Sequence, residues 1–255
     1  MKLEGHTVLI TGGSSGIGLE LAKQLKMRGN AVVITGRDRG RLDKAKQQVP
    51  GLVTIESDVS EVEAIEALHR RMLEDFPALD VLINNAGVMR MVNCHKDVND
   101  LAAFTGEIDT NLKGPIRMTA RFLPDLRKRA SAAVINVTSG LAFVPLPIAP
   151  IYSATKAALH SFTLSLRAQL ARTQVKVFEI APPTTHTDLL GPFEADLKGV
   201  SIMGVEEMVR QCLKGLADDR LEIRPGQSNQ LKFMNRLAPE FILAQLSKSV
   251  ARLEN

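Results

Sequence analysis

The chain of 255 residues has no tryptophan, one tyrosine and two cysteines. Cys94 and Cys212 stand far apart and without metal-ligand spacing. That excludes a disulfide framework, gives no reason to expect a metal site, and fits a reducing compartment. No uninterrupted apolar run reaches the ~18 residues of a membrane span. The nearest candidate, 141–151, is broken by three prolines. The opening residues, MKLEGHTVLITGG, run straight into a strand pattern without the layout of a signal peptide. A cytoplasmic protein with no membrane span is expected. Charge of one sign is scarce as well: 32 Lys and Arg against 28 Asp and Glu leave +4. The basic trio Arg127-Lys128-Arg129 reads as a solvated helix end, so no nucleic-acid partner is expected.

The apolar share of 45% and charged share of 24% suit a soluble protein with a sizeable core. At this length one α/β domain accommodates the whole chain, 1–255. Within it, 1–135 reads as mainly dinucleotide-binding. Residues 136–255 read as mainly catalytic, with a substrate lid and a C-terminal helix.

Tyr152, the sole tyrosine, is followed four residues on by Lys156 in a helical pattern free of Gly and Pro, YSATKAALHSFTLSLRAQLAR. Positions i and i+4 share a helix face, so the phenol and the ammonium can meet one cleft. A phenol at its ordinary pKa of about 10 is a poor acid/base group at neutral pH. A fixed cation beside it favours phenolate, and Ser139, just upstream, can hydrogen-bond a substrate oxygen. Alone, the same pattern also suits a core tyrosine and a surface lysine.

HTVLIT (6–11) has the length of a buried strand and leads into TGGSSGIG (11–18), after which a helix pattern begins. Strand, Gly-rich turn and helix form the cradle of a nucleotide diphosphate. Gly12, Ser14, Ser15, Gly16, Ile17 and Gly18 are the candidate contacts, in GxxxGxG spacing. AVVITG (31–36) is a second strand, ending at Gly36-Arg37 where an acidic residue would hold ribose hydroxyls. A guanidinium there can grip a 2′-phosphate, so NADP(H) is expected, with Arg39 and Arg41 adding to the field and Asp38 opposing it.

LVTIES (52–57) is a third strand. After it Asp58 and Val59 can meet adenine, or Asp58 or Ser60 can cap the helix over 61–76. LDVLINNAG (79–87) is a fourth; its Asn85, Ala86 and Gly87 suit close approach to a ribose or nicotinamide ring, and equally a plain turn. Residues 97–129 read as helices interrupted at Gly114-Pro115, with Asn111 able to hold a water or kink the helix. AAVINVTSG (132–140) delivers Ser139, VKVFEIAPP (175–183) is a sixth strand, and LEIRP (221–225) a short seventh. Strands separated by helices predict one doubly wound Rossmann-type domain with a seven-stranded parallel sheet.

Taken together, TGGSSGIG, Asp58, NNAG (84–87), Asn111, Ser139, YSATK (152–156) and a Pro/Thr segment at 182–187 resemble the short-chain dehydrogenase/reductases in their roughly 250-residue form. The resemblance covers about 6 to 190. It implies that Tyr152 is the acid/base, that Lys156 binds the nicotinamide ribose and depresses the phenol pKa, and that Ser139 polarises the carbonyl. It also implies a water relay at Asn111 and nicotinamide contacts from Pro182, Thr185 and Thr187. The chain departs from the family at Pro183, where glycine is usual, and at Thr185, where an apolar residue is usual. A homodimer or homotetramer follows from the same resemblance.

Leu141, Phe143, Val144, Leu146, Met89, Met91, Leu189, Leu190 and Phe193 are expected pocket walls, so the substrate is read as an apolar small-molecule carbonyl or secondary alcohol. Arg90 reads as solvated. Residues 188–203 read as a lid, and 237–253 as one helix with a stripe of Phe241, Ile242, Leu246 and Val250. The competing reading is a non-catalytic NADP(H) sensor, which has no reason to retain Ser139, Tyr152, Lys156 and Asn111 together. An epimerase or dehydratase is disfavoured by the glycine spacing and the short C-terminal part.

Overall fold

A computed structural model describes residues 1–96, 99–197 and 200–253 and, for 194–197 and 252, the backbone alone. Seven parallel strands form one sheet in the order β3-β2-β1-β4-β5-β6-β7. They are β1 (Thr7–Thr11), β2 (Ala31–Gly36), β3 (Val53–Glu56), β4 (Val81–Asn84), β5 (Ala132–Val137), β6 (Val175–Ile180) and β7 (Glu222–Ile223). The order reverses between β1 and β4. There the C-terminal ends of both strands open a crevice, the usual ligand position in such sheets.

Side-chain alternation along each strand feeds two cores. Val8 and Ile10 face one side with Leu21 and Leu25 of α1 (Gly16–Met27), Leu42 of α2 (Arg39–Gln48) and Leu213 of α7 (Val205–Ala217). Leu9 faces the other, with Leu68 of α3 (Val62–Asp75), Phe122 of α5 (Gly114–Leu126) and Leu166 of α6 (Pro150–Gln169). Phe122 is 1% exposed, so Phe122→Ala leaves a cavity no neighbour can fill without backbone movement. It should cost about 3–5 kcal/mol of unfolding free energy, read as a lower urea midpoint at unchanged slope.

Two sequence expectations need correction. The helical stretch before Ser139 is not interrupted at Gly114-Pro115. Instead α4 (Leu101–Ile108), a π-helical turn (Asp109–Lys113) and α5 run on without a break, and the Gly114 N–H reaches the Asp109 carbonyl. Pro115 has no N–H to give the carbonyl four residues back, that of Asn111, which favours the wider turn. Positions 97 and 98, where that helical reading began, lie outside the described residues.

The tail is likewise not one helix. It comprises α8 (Gln227–Leu237), α9 (Pro239–Ser247) and a 3-10 segment (Lys248–Leu253). Ala238, extended at φ −145° and followed by Pro239 in the first turn of α9, separates α8 from α9. Of the expected stripe, Phe241 is exposed while Ile242, Leu246 and Val250 are half-buried. The lid expected over 188–203 includes 198 and 199, which are outside the described residues. A 3-10 segment (Asp188–Leu197) forms its first part, and Thr185 bridges Met203 beyond it.

Candidate active site

One cavity of about 590 Å³ runs along the carboxyl ends of the strands. It is lined by every expected cofactor and catalytic residue except Asn111, which lies directly behind the wall. The glycine turn is shaped by close approaches. Gly12 has φ +63°, and a Cβ there would stand 2.7 Å from the Ala86 Cα. A Cβ on Gly18 would stand 2.3 Å from the Gly12 carbonyl oxygen. Thr11 Oγ1 accepts the amides of Asn85 and Ala86 at 3.0 and 3.1 Å, and Asn85 Nδ2 donates to the Thr11 and Gly12 carbonyls at 3.0 and 2.9 Å. Asn85 therefore braces the turn, a role the sequence did not suggest.

Ser15 precedes α1 without capping it, and the N–H groups of Gly16, Ile17 and Gly18 meet no acceptor among the described residues. These free donors at a positive helix end, on a turn packed too closely against Ala86 and the Gly12 carbonyl to admit a Cβ at Gly12 or Gly18, fit a pyrophosphate. At the end of β2, Arg37 is exposed, lines the cavity and has no ion-pair partner among the described residues. Asp38, which stood against the phosphate reading, caps α2: its Oδ1 accepts from the Arg41 amide at 2.9 Å. Arg41 also lines the cavity and spans Asp38 and Asp188 at 3.9 and 3.7 Å, whereas Arg39 is not part of the lining.

Asp58 lines the cavity and accepts from the amide and hydroxyl of Ser60 at 2.9 and 2.8 Å. Neither residue caps α3; Glu61 occupies that position without a side-chain bond. The Asp58 carboxylate thus retains an oxygen for a ligand, with Val59 beside it in the lining. Pro182 accepts from the Gly140 amide at 2.9 Å, and Pro183 accepts from the Thr185 hydroxyl at 2.8 Å. Thr185 is buried with its hydroxyl taken, whereas Thr187 is half-buried near Gly16.

Ser139 follows β5 and accepts from the Leu141 amide at 3.1 Å, opening a short 3-10 turn (Gly140–Ala142). Tyr152, 6% exposed, lines the same cavity as Ser139, whose hydroxyl pulls the phenol pKa down. Lys156, 3% exposed, donates to the Val137 carbonyl at 2.9 Å and lies 5.6 Å from the phenol ring centroid. Asn111, in the π turn, accepts from the Val88 amide and donates to the Val88 carbonyl, both at 2.8 Å, and also donates to Thr155 Oγ1 at 3.3 Å. Its side chain therefore ties the loop after NNAG to α6.

The electrostatics correct one expectation. Tyr152 is not shifted down in this state: burial pushes it up to about 12, the Ser139 hydrogen bond pulls it back, and Glu107 pushes it further up. Burial brings Lys156 down to about 8. The cause is desolvation of both groups, with the ammonium spent on a carbonyl. Glu107, on α4, was missed by the sequence reading. It is 1% exposed, neither carboxyl oxygen has a hydrogen bond of ordinary geometry, and burial raises its pKa although the Arg90 amide and charge pull it down. An acidic residue one turn before Asn111 was the available signal.

The apolar wall is smaller than expected. Met89, Leu141, Leu189 and Leu190 line the cavity, joined by Leu231 of α8, which was not anticipated. Met91, Leu146 and Phe193 pack in the cluster behind it with Val250 and Leu253. Phe143 turns instead to His160 and Lys232, and Val144 is buried outside the lining. Arg90 is exposed and donates to the Ala103 carbonyl at 2.9 Å. Both cysteines are unpaired, and no helix among the described residues is long and apolar enough to cross a membrane.

Compared with known proteins, the family model of short chain dehydrogenases matches residues 6–198. The chain belongs to this family. A short-chain dehydrogenase from Burkholderia cenocepacia, solved in complex with NADP, superimposes with a TM-score of 0.83 at 28% identity, covering 96% of this chain and 99% of that one. A 3-ketoacyl-(acyl-carrier-protein) reductase from Brucella melitensis, complexed with NADH, gives 0.80 at 25% identity over 89% and 100%. The oxidoreductase DltE of Bacillus subtilis is 43% identical over 249 residues, 97% of this chain and 98% of its own. The short-chain dehydrogenase fold and the oxidoreductase class follow, and both of these solved neighbours hold a nicotinamide nucleotide.

Proposed function

We propose that this short-chain dehydrogenase is an NADP(H)-dependent oxidoreductase that interconverts a carbonyl and a secondary alcohol on an apolar small molecule. One observation carries the reading: buried Tyr152 and half-buried Ser139, with the Lys156 ammonium beside the phenol, share a cavity with the glycine turn and with Arg37, which has no ion-pair partner among the described residues. When bound, the nicotinamide supplies or accepts the hydride. Gly16, Ile17 and Gly18 would hold its pyrophosphate, Arg37 its 2′-phosphate, Asp58 and Val59 its adenine, and Thr187 its carboxamide.

In reduction, Ser139 Oγ donates to the carbonyl oxygen and Tyr152 delivers the proton to that oxygen as it becomes an alkoxide. Tyr152 is protonated in the unliganded site, as an acid must be. Lys156, buried and cationic, then favours the phenolate left behind. Asn111, by locking Val88 to α6, keeps the loop after NNAG against the site. Leu141, Leu189, Leu190 and Leu231 present an apolar wall to the substrate. A cytoplasmic homodimer or homotetramer belongs to the same proposal.

Equilibrium titration with NADPH and NADH tests the cofactor half directly, and the absence of tryptophan leaves the nicotinamide fluorescence free of indole emission. The account expects NADPH to bind more tightly by about tenfold or more, the worth of one charge-assisted contact. Equal binding, or preference for NADH, would remove Arg37 from its role.

A further inference from the structure

Glu179 is a carboxylate with no place in the chemistry above. It stands in β6 between Phe178 and Ile180 and is 0% exposed. Burying a carboxylate is costly unless its oxygens are met, and an apolar residue would fill such a strand position at least as stably. Here its two oxygens are met by Thr138 and His160. Thr138, the residue before the serine, donates its hydroxyl to Glu179 Oε1 at 2.6 Å. His160 Nδ1 lies 2.9 and 2.8 Å from Oε1 and Oε2, so the carboxylate also selects the tautomer with the proton on Nδ1.

His160 is four residues beyond Lys156 and eight beyond Tyr152, which places all three on one stripe of α6. Each holds one of three consecutive residues at the end of β5. Lys156 donates to the Val137 carbonyl at 2.9 Å, His160 reaches Thr138 through Glu179, and Tyr152 lies against Ser139 in the cavity. Backbone bonds from Thr138 to Ile180 at 2.8 Å and from Gly140 to Pro182 at 2.9 Å fasten the same segment to the end of β6. Phe143 packs edge-on against the His160 ring, with centroids 5.2 Å apart.

We propose that Glu179 and His160 are positioning residues which, through the Thr138 hydroxyl, set where Ser139 Oγ stands against Tyr152. The proposal rests on the reading of Ser139 and Tyr152 as the acting pair, but its test has a readout that needs no turnover. Tyr152 is the only tyrosine, so protein labelled with carbon-13 at tyrosine Cζ gives one NMR signal, sensitive to the phenol's hydrogen bond.

Thr138→Val removes the hydroxyl at nearly constant volume. It should move that signal and lower kcat about tenfold, the worth of one misplaced hydrogen bond. NADPH affinity and KM should stay within about twofold. Thr138→Ser restores the hydroxyl and should recover signal and turnover together. His160→Gln, at the other side of Glu179, should move the signal as Thr138→Val does and serves if that variant fails to fold. An unmoved signal in the folded variants overturns the proposal, whatever their turnover. So does a parallel loss of kcat and NADPH affinity, which marks a general loosening. A moved signal in a protein whose parent reduces no carbonyl upholds the positioning and overturns the catalytic reading instead.

Discussion

Tyr152→Phe should reduce turnover by at least about 100-fold while NADPH still binds. The ring is buried against Ile148, Ala149 and Phe193 and stays in place in the variant, so packing is preserved. What disappears is one hydroxyl, the group beside Ser139 that is proposed to deliver the proton. Among the described residues no other titratable group lines the cavity beside Ser139 except Lys156, whose ammonium is turned to the Val137 carbonyl. A lysine brought down to about 8 by burial can still supply a proton slowly, so some residual activity is expected. A loss in kcat with KM nearly unchanged would mark an interaction made only in the transition state. Unchanged turnover would remove Tyr152 from the chemistry.

Arg37→Ala has the second largest expected effect, and it falls on binding. Losing two charge-assisted hydrogen bonds to a phosphate should weaken NADPH binding by about 10–100-fold, with NADH affected by less than about threefold. The lower end is favoured because Arg37 is exposed and its charge is screened. The preference should accordingly shrink as salt is raised in the parent and stay flat in the variant. Arg41 is a weaker substitute, since Asp38 and Asp188 already share its charge. If both nucleotides weaken equally, the arginine supports the fold of the turn and does not select the phosphate.

Much of the site was legible because its parts are local. TGGSSGIG, NNAG and YSATK each place their groups within one turn or one helix face, and together, in this order, they carry the resemblance to the family. The sheet was equally readable, since parallel strands buried on both faces are nearly continuous apolar runs. What stayed hidden depends on long-range contacts. Asp38 looked like an obstacle to phosphate binding until α2 claimed its carboxylate. Phe143 belongs by sequence to the pocket segment, yet His160 and Lys232 draw it away. The π turn at Asn111 follows from a missing N–H at Pro115, a local cause whose outcome depends on how α4 and α5 pack. The phenol was expected to shift down because a lysine stood nearby. It shifts up because burial outweighs a cation that is already bonded elsewhere.

The central claim is hydride exchange with a carbonyl, and NADPH consumption against a panel of ketones, aldehydes, quinones and keto acids tests it most directly. The account predicts that at least one apolar carbonyl is turned over, with NADPH favoured over NADH and the rate lost in Tyr152→Phe. Saturating NADPH binding with no turnover of any compound, in a protein whose Tyr152→Phe variant behaves identically, would contradict it and favour a nucleotide-sensing protein.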